Sequence, residues 1–249
     1  MMSIFRFKQF EVRNEKSAMK VNTDGVLLGA ASPIPCQCRK VLDIGTGTGT
    51  IALMIAQRLF AERKIGDGTS PEITGIDIDK DAACEADFNF GHSPWAAALT
   101  CIRTGLAGLD DGGQPAEFDL IVSNPPYYDD SLTNPDEKKT TARHTGGDDG
   151  LSFREVLDFA GRHLSPEGIV SVVLPADQEM MLLRHGRMNG LHPVKILRIK
   201  TVERKKPSRI IAAFSREKVN AEESSLVMME KGKYTDEYLS LVKDFYLFA

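Results

Sequence analysis

The chain has 249 residues, of which 42% are hydrophobic and 27% are charged, and its formal net charge is −4 at pH 7. This balance is typical of a globular protein with a large core and excludes a disordered chain. It also excludes a globally basic protein, so any binding of phosphate groups must come from a local cluster of Lys and Arg. No apolar run approaches the roughly 20 residues that a membrane-spanning helix needs. Arg6 and Lys8 interrupt the apolar N-terminal stretch, so we expect no signal peptide.

The cysteines form no metal-binding pattern. Cys36 and Cys38 are one close pair, whereas Cys84 and Cys101 stand apart. A zinc ribbon needs a second pair at a matching spacing. We therefore expect no metal ion, reduced thiols and a cytoplasmic protein without membrane contact.

Strands and helices are expected to alternate along the N-terminal half of the chain. Thr23 or Asp24 is a suitable N-cap for the first helix, and Asp79 for a later one. In chain order we predict a strand at residues 5–12, a helix at 23–31, a strand at 40–44, a helix at 51–59, a strand at 72–78 and a helix at 81–90.

The C-terminal half continues the alternation around a long polar segment at residues 129–150, which cannot build a core of its own. Loops of that length in compact domains are usually functional. In chain order we predict strands at residues 97–102 and 118–122, a helix at 151–163, a strand at 168–174, a helix at 176–188, strands at 194–201 and 209–214, and a helix at 234–248.

This alternation predicts an α/β fold with a mostly parallel sheet and helices on both of its faces. Ligands of such folds bind at the carboxyl ends of the strands, near the point where the strand order reverses. We expect one domain over residues 1–249, with a short N-terminal strand and helix extension at residues 1–38 and a core at residues 39–249.

Three glycines follow the strand at residues 40–44, at positions Gly45, Gly47 and Gly49. Glycine is needed where a strand turns tightly into a helix and where a ligand approaches the backbone with no Cβ between them. A plain turn explains one glycine, whereas three of them directly after Asp43 favour a ligand site. The dinucleotide fingerprint requires a glycine where this chain has Thr50, which weakens the alternative of an NAD-dependent oxidoreductase.

The strand at residues 72–78 carries a second acidic group at its carboxyl end. Asp77 lies about thirty residues after the glycines. A carboxylate in this position can accept hydrogen bonds from two adjacent ribose hydroxyls. Asp79 is better placed to cap the helix that follows.

These two segments resemble the S-adenosylmethionine site of class I methyltransferases, which have a Rossmann-like, mostly parallel sheet. The resemblance implies S-adenosylmethionine as the cofactor, with the glycine loop under its methionine part, Asp77 on its ribose and Asp43 as a helper. That family often has an acidic residue after the third strand. This chain has none there, which leaves the contacts to the cofactor's adenine open; the residues are Arg103, Thr104, Gly105 and Leu106.

The strand at residues 118–122 leads into the sequence Asn124, Pro125, Pro126, Tyr127. Two prolines stiffen the loop and remove two backbone donors, so its carbonyl groups become acceptors beside the side-chain carbonyl of Asn124. An amine with two N–H groups fits between such acceptors and keeps its lone pair directed at a methyl donor. Tyr127 offers a flat surface on which a planar base can stack, worth roughly 1–3 kcal/mol. A rigid loop in which Asn124 caps a turn is the alternative.

This tetrapeptide resembles the catalytic loop of amino-methyltransferases that act on planar nitrogens. Their substrates are the adenine N6, cytosine N4 and guanine N2 amines and the side-chain amide of glutamine. The resemblance implies that Asn124 and Pro125 hold the amine, that Pro126 keeps the loop rigid and that Tyr127 stacks on the base.

Further segments resemble the bacterial family of tRNA1(Val) adenine-37 N6-methyltransferases, and with the two motifs they extend roughly from residue 5 to residue 209. The resemblance implies methylation of the N6 amine of an adenine in tRNA, with Lys20 and Asp24 near the cofactor. The segments are residues 7–10, 19–21, 23–30, 93–95 and 142–144.

Basic residues are dense between positions 195 and 209 for a chain of net charge −4. They are candidates for contact with RNA phosphates, although lysines also occur on solvated strand edges. Arg143 and His144, in the long polar segment, are further candidates. The basic residues are Lys195, Arg198, Lys200, Arg204, Lys205, Lys206 and Arg209, of which the last five are the expected RNA contacts.

Three other functions share parts of this pattern. A glutamine N5-methyltransferase of release factors has the same tetrapeptide but usually carries a helical domain before the glycine loop. A DNA adenine methyltransferase needs a sizeable region for target recognition, for which this chain has no spare length. A non-catalytic S-adenosylmethionine-binding RNA-binding protein has no need to keep an intact tetrapeptide.

Overall fold

The computed structural model describes residues 3–61, 70–110, 117–126 and 151–249. The strands in these ranges are β1 (Ile4–Arg6), β2 (Glu11–Arg13), β3 (Lys40–Ile44), β4 (Glu72–Asp77), β5 (Leu99–Arg103), β6 (Phe118–Ser123), β7 (Leu164–Pro175), β8 (His192–Val202), β9 (Arg209–Ser215), β10 (Glu222–Glu230) and β11 (Lys233–Tyr234). The α-helices are α1 (Thr23–Ala31), α2 (Thr50–Ala61), α3 (Lys80–Gly91), α4 (Leu106–Asp110), α5 (Phe153–His163), α6 (Glu179–Met188) and α7 (Asp236–Val242).

Within the described ranges, the main sheet has the strand order β11-β10-β8-β9-β7-β6-β3-β4-β5. Most neighbouring strands are parallel, but β9 runs antiparallel to both β7 and β8, and β11 antiparallel to β10. The order reverses at β3, because β4 and β5 lie on one side of it and β6 and β7 on the other. The carboxyl end of β3 is therefore the position where this architecture forms a ligand crevice.

The two faces of the sheet are covered by different helices. Alternate residues of β3 and β6 point to opposite faces, so Val41 and Leu120 pack with α1, α2 and α3, whereas Leu42 and Ile121 pack with α5 and α6. Strands buried on both faces have nearly continuous apolar sequences, which is why β3 and β6 were recognisable from the sequence. The predicted α/β fold with helices on both faces is confirmed.

The N-terminal residues form a hairpin of β1 and β2 rather than the single strand predicted at residues 5–12. The backbone N–H of Phe7 donates to the carbonyl of Phe10 at 2.9 Å, which closes the turn between the strands. The rings of Phe7 and Phe10 stack at 4.5 Å, and Phe7 also stacks on Tyr246 at 5.8 Å. These aromatic contacts dock the hairpin onto the C-terminal segment.

Helix ends follow local capping chemistry. Ser152 and Glu155 form a capping box at the start of α5, and Asp79 caps α3 as expected. The expected cap of α1 at Thr23 or Asp24 is wrong, because the side chain of Asn22 accepts the N–H of Gly25. Asparagine is as good a cap as aspartate, and here it lies one residue earlier.

The C-terminal prediction is wrong in two respects. The helix expected at residues 234–248 is reduced to α7, and the strand β10, which the sequence analysis did not predict, pairs in parallel with β8. Polar residues occupy much of β10, and of its nine residues only Leu226 is fully buried. A strand near the edge of a sheet has a weak apolar pattern, so periodicity did not reveal it.

No helix in the described ranges is long and apolar enough to cross a membrane. Across the same ranges, no group of three or more His, Cys, Asp or Glu side chains is arranged to hold a metal ion. All four cysteines are free thiols, and burial raises the pKa of Cys38 to about 12.

The turn between β3 and α2 packs directly against α3. Gly49 has a φ of +80°, and a Cβ added to it would lie 2.5 Å from Cε1 of Phe90. Both the left-handed backbone and the contact with a buried ring therefore require glycine at this position.

We expect Gly49→Ala to lower the free energy of unfolding by about 3 kcal/mol, because it adds overlap with Phe90 to backbone strain. Gly232→Ala is the matched control, since Gly232 has a φ of +79° and open space around its Cβ position. The control should lose about 1 kcal/mol from strain alone. Urea unfolding of both variants measures the difference, and equal decreases would show that the Phe90 contact is unimportant.

Candidate active site

A cleft opens at the carboxyl end of β3, at the reversal of strand order. Three segments form its walls: the chain before and into α1, the glycine turn after β3, and the residue that follows β6. Its lining residues are Met19, Lys20, Val21, Asn22, Gly25, Gly45, Thr46, Gly47, Thr48, Thr50, Ile51 and Asn124.

The glycine turn forms one wall, and Asp77 holds it in place. Gly45 and Gly47 have left-handed φ values of +68° and +57°. The N–H of Gly47 donates to Oδ2 of Asp77 at 3.0 Å, and the N–H of Asp79 donates to Oδ1 at 2.9 Å. The carboxylate of Asp77 is half-buried. Through these two hydrogen bonds it ties the glycine turn to the end of β4.

Asp43 lies beneath this turn and is fully buried. Its Oδ2 accepts the hydroxyl of Thr46 at 2.7 Å and the N–H of Ala52 at 3.2 Å. Burial raises the pKa of Asp43 to about 7, although both hydrogen bonds act in the opposite direction. Oδ1 has no hydrogen-bond partner in the described part of the chain. Asp43 thus supports the turn from behind and does not line the cleft.

Gly49, which the sequence analysis grouped with the cofactor residues, also lies outside the cleft lining. It packs against Phe90 on the far side of the turn. The packing of α3 explains why position 49 is a glycine. Gly45 and Gly47, in contrast, line the cleft.

Asn124 forms a second wall of the cleft. The hydroxyl of Ser123 donates to the carbonyl of Ile44 at 2.8 Å, which fixes the end of β6 beside the end of β3. Asn124 is buried, and its Nδ2 lies 3.6 Å from the sulfur of Met19. Pro125 is buried and Pro126 half-buried. The structure therefore brings Asn124 to the glycine turn, as expected from the sequence.

Tyr127, Arg143 and His144 lie outside the described residues. The stacking of Tyr127 on the target adenine and the contacts of Arg143 and His144 with RNA therefore remain sequence-based predictions.

Lys20 and Asp24 have different surroundings. Lys20 lines the cleft, and its Nζ donates to the carbonyl groups of Asn14, at 3.0 Å, and of Glu15. Asp24 instead forms an ion pair with Arg209 at 2.7 Å between Oδ2 and Nε. From the sequence, Asp24 was expected near the cofactor and Arg209 at the RNA. In the structure their ion pair joins α1 to the start of β9.

The basic residues divide into paired and exposed groups. Arg198 is held by Glu179 and Glu223, which raise its pKa, and Lys200 pairs with Glu203 at 3.1 Å. Arg204, Lys205 and Lys206 are exposed on the turn between β8 and β9. Because β8 is parallel to β7, this turn lies at the same edge of the sheet as the cleft.

Sequence reasoning missed the roles of Met19, Asn22 and Thr46 in this site. Met19 contacts Asn124, Asn22 caps α1 beside the cleft, and Thr46 binds Asp43. Thr46 lies between two glycines of the motif, so its position alone was a usable signal. Met19 has no such signal, since its contact depends on the path of the N-terminal segment.

The fold resembles that of solved proteins in overall shape. A predicted O-methyltransferase from Agrobacterium tumefaciens has a TM-score of 0.64 at 18% identity, over 89% of this chain and 96% of that one. The TYW2 protein of P. horikoshii, solved in complex with MeSAdo, has a TM-score of 0.55 at 11% identity, over 87% of this chain and 72% of that one. The sheet order, the glycine turn and these likenesses define the fold of the class I S-adenosylmethionine-dependent methyltransferases.

Relatives define the family more narrowly. The family model described as "Methyltransferase small domain" matches residues 25–185. The tRNA1(Val) (adenine(37)-N6)-methyltransferase of Flavobacterium johnsoniae is 40% identical over 246 residues, which cover 98% of this chain and 99% of the relative. The protein of that name from Bacteroides fragilis is 38% identical over 244 residues, with 98% and 97% covered. The chain belongs to the tRNA1(Val) (adenine(37)-N6)-methyltransferase family, which confirms the resemblance seen in the sequence.

The cleft fits the cofactor of this class, S-adenosylmethionine. A Cβ added to Gly47 would project into the gap between the turn and the N-terminal segment, 3.6 Å from the carbonyl oxygen of Met19 and 3.7 Å from the hydroxyl of Ser17. A side chain here would extend into this gap, so the glycine keeps the gap open for a ligand.

The raised pKa of Asp43 makes stability depend on pH. The folded protein retains a proton up to about pH 7, whereas the unfolded chain loses it near the ordinary value of about 4. Between these two values the contribution of Asp43 to the free energy of unfolding falls as pH rises, by at most about 1.4 kcal/mol per pH unit, and this contribution levels off above about pH 7.

We expect Asp43→Asn to abolish this fall, because an amide does not titrate. Urea unfolding of wild type and variant without cofactor, from about pH 4 to about pH 8, measures the difference in their stability curves. Parallel curves across that range would contradict the buried, protonated state of Asp43.

Proposed function

We propose that this protein transfers a methyl group from S-adenosylmethionine to the N6 amine of an adenine in tRNA, and that the target is adenine 37 of tRNA1(Val). The position of Asn124 against the glycine turn carries this proposal. The activity for which the relatives are named supports the choice of tRNA and of the adenine. We also propose a cytoplasmic site of action, where tRNA is available.

The glycine turn and the N-terminal segment would both contact the bound cofactor. We propose that Gly45, Gly47 and Lys20 contact its methionine part and that Asp77 binds its ribose, since all four surround or adjoin the cleft. The N-terminal extension at residues 1–38 then belongs to the same functional unit as residues 39–249, because Met19 to Gly25 contribute one wall.

Asn124 would hold the substrate amine. The bound cofactor supplies a methyl group on a positively charged sulfur. The amide nitrogen of Asn124 is directed at Met19, so its carbonyl oxygen is the end that accepts one N–H of the adenine amine. The carbonyl of Pro125 accepts the other, which leaves the nitrogen lone pair directed toward the methyl group.

Positioning accounts for most of the catalysis in this scheme, and no covalent enzyme intermediate forms. The target adenine leaves its stack in the anticodon loop at a cost of a few kcal/mol, which is smaller for an unpaired base. Tyr127 is proposed to stack on the extruded base.

The deciding experiment incubates the purified protein with labelled S-adenosylmethionine and total tRNA from a strain that lacks the gene, then identifies the labelled nucleoside. We expect N6-methyladenosine in tRNA, and no label in a tRNA1(Val) transcript whose adenine 37 is replaced by guanine. Label in a protein would indicate glutamine methylation. Absence of label in any RNA would favour a non-catalytic role.

We expect Asn124→Ala to lower kcat by about 10²–10³-fold, because the variant lacks one acceptor for the reacting amine. Binding of S-adenosylhomocysteine should stay nearly unchanged. Asn189→Ala is the control, since Asn189 is hydrogen-bonded to Asp158 at the opposite edge of the sheet and should keep its turnover. Methylation kinetics and calorimetry check both variants, and a variant at position 124 with normal kcat would overturn the assigned role.

We expect the double variant Lys205→Ala, Lys206→Ala to weaken tRNA binding and to reduce the slope of log Kd against log salt by about 2, because each lysine neutralises one RNA phosphate in the wild-type complex. The charge-matched control is Lys40→Ala, Lys218→Ala, because both lysines are exposed at the amino edge of the sheet. Filter binding across a salt series measures the slopes, and equal slopes in the two double variants would sink the assignment.

A further inference from the structure

Glu85 is a buried carboxylate that no part of the proposed chemistry uses. It lies on α3, and its side chain is only 2% exposed. Its two oxygens accept backbone N–H groups from three successive residues: Glu15 at 2.8 Å, Lys16 at 3.1 Å and Ser17 at 2.9 Å. Three adjacent backbone donors therefore converge on one anionic side chain.

This arrangement depends on the negative charge. Buried backbone N–H groups need acceptors, and hydrogen bonds to an ionised acceptor are roughly twice as strong as neutral ones. Arg13 lies 3.9 Å from Oε1 of Glu85 and adds a positive charge on the same side. A neutral amide at position 85 would direct its own N–H groups at one or more of these donors.

The same face of α3 also reaches the glycine turn. Asn89, one helical turn after Glu85, accepts the N–H of Arg13 at 2.7 Å and donates to the carbonyl of Thr48 at 2.8 Å. The cap of this helix is Asp79, whose backbone N–H donates to Asp77. α3 thus links the N-terminal segment to the glycine turn at two points, directly at Thr48 and through Asp77 at Gly47.

The segment held by Glu85 continues directly into the wall of the cleft. The hydroxyl of Ser17 donates to the carbonyl of Met19 at 3.1 Å, and this carbonyl lies 3.6 Å from the Cβ position of Gly47. The sulfur of Met19 contacts the amide of Asn124. The position of residues 15–17 consequently determines the width of the slot beside Gly47.

We propose that Glu85 is a positioning residue for cofactor binding: by holding residues 15–17 it sets Met19 and Lys20 at the distance from the glycine turn that S-adenosylmethionine requires. The proposal rests on the cofactor site described above. It requires no contact between Glu85 and the cofactor, since the carboxylate acts through the backbone of the segment.

The test compares Glu85→Gln with Asp119→Asn. Asp119 also accepts two backbone N–H groups, from Arg39 at 2.8 Å and Lys40 at 2.9 Å, but at the amino end of β3. Both variants lose an ionised acceptor and some stability, so the control separates general destabilisation from a loss of positioning. Calorimetry with S-adenosylhomocysteine is run below the unfolding temperature of each variant.

We expect Glu85→Gln to raise the Kd for S-adenosylhomocysteine by about tenfold or more, because binding must then also order residues 15–17. Asp119→Asn should leave it unchanged. In methylation assays the KM for the cofactor should rise while the KM for tRNA stays constant. An unchanged Kd in the folded Glu85 variant, or an equal rise in the control, would refute the proposal.

Hydrogen exchange on the wild-type protein keeps the proposal testable if the Glu85 variant does not fold. Binding of S-adenosylhomocysteine should slow exchange of the amides of Glu15, Lys16 and Ser17 but not those of Arg39 and Lys40, and an unchanged rate at the first three refutes the role. A wild-type protein that does not bind S-adenosylhomocysteine overturns the cofactor site and this inference together. Binding without tRNA methylation overturns only the substrate, and the Kd comparison still decides the role of Glu85.

Discussion

A buried carboxylate joins the end of β3 to the first turn of α2, and the site is built around it. Asp43 accepts hydrogen bonds from Thr46 within the glycine turn and from Ala52 in the helix. These bonds fix the direction in which the chain leaves the sheet, so that Gly45 and Gly47 face the cleft. Burial raises the pKa of the Asp43 carboxyl to about 7, because removal from water disfavours its charged form, and the two hydrogen bonds act in the opposite direction.

The cleft itself is shared between segments that are distant in the sequence. The turn after β3 supplies the backbone slot, the residue after β6 supplies an acceptor for the substrate, and the chain before α1 supplies the opposite wall. Hydrogen bonds from Ser123 to Ile44 and from Gly47 to Asp77 bring neighbouring strand ends together. The strand ends are therefore held by bonds within the sheet, whereas the N-terminal wall is held by hydrogen bonds to α3.

The predictable parts of the molecule are those whose signal is local. β3 and β6 are continuous apolar runs, the cap of α3 is an aspartate, and the glycine and proline motifs fall at strand ends, so the fold and the position of Asn124 could be inferred from the sequence. The turn between β1 and β2, the strand β10 and the contacts of Met19 depend on tertiary packing instead. Glu85 and the ion pair of Asp24 with Arg209 are also long-range, since their partners lie about 70 and 185 residues away in the sequence.

The direction of a single strand decides at which edge of the sheet one cluster of exposed basic residues lies. Because β9 runs antiparallel to its neighbours, the turn that carries Arg204, Lys205 and Lys206 emerges beside the cleft and not at the opposite edge. A chain of net charge −4 thereby presents three exposed basic residues at the edge of the sheet that holds the cleft. For a polyanionic partner such a local cluster acts before contact, since long-range attraction orients the first encounter toward the charges it meets.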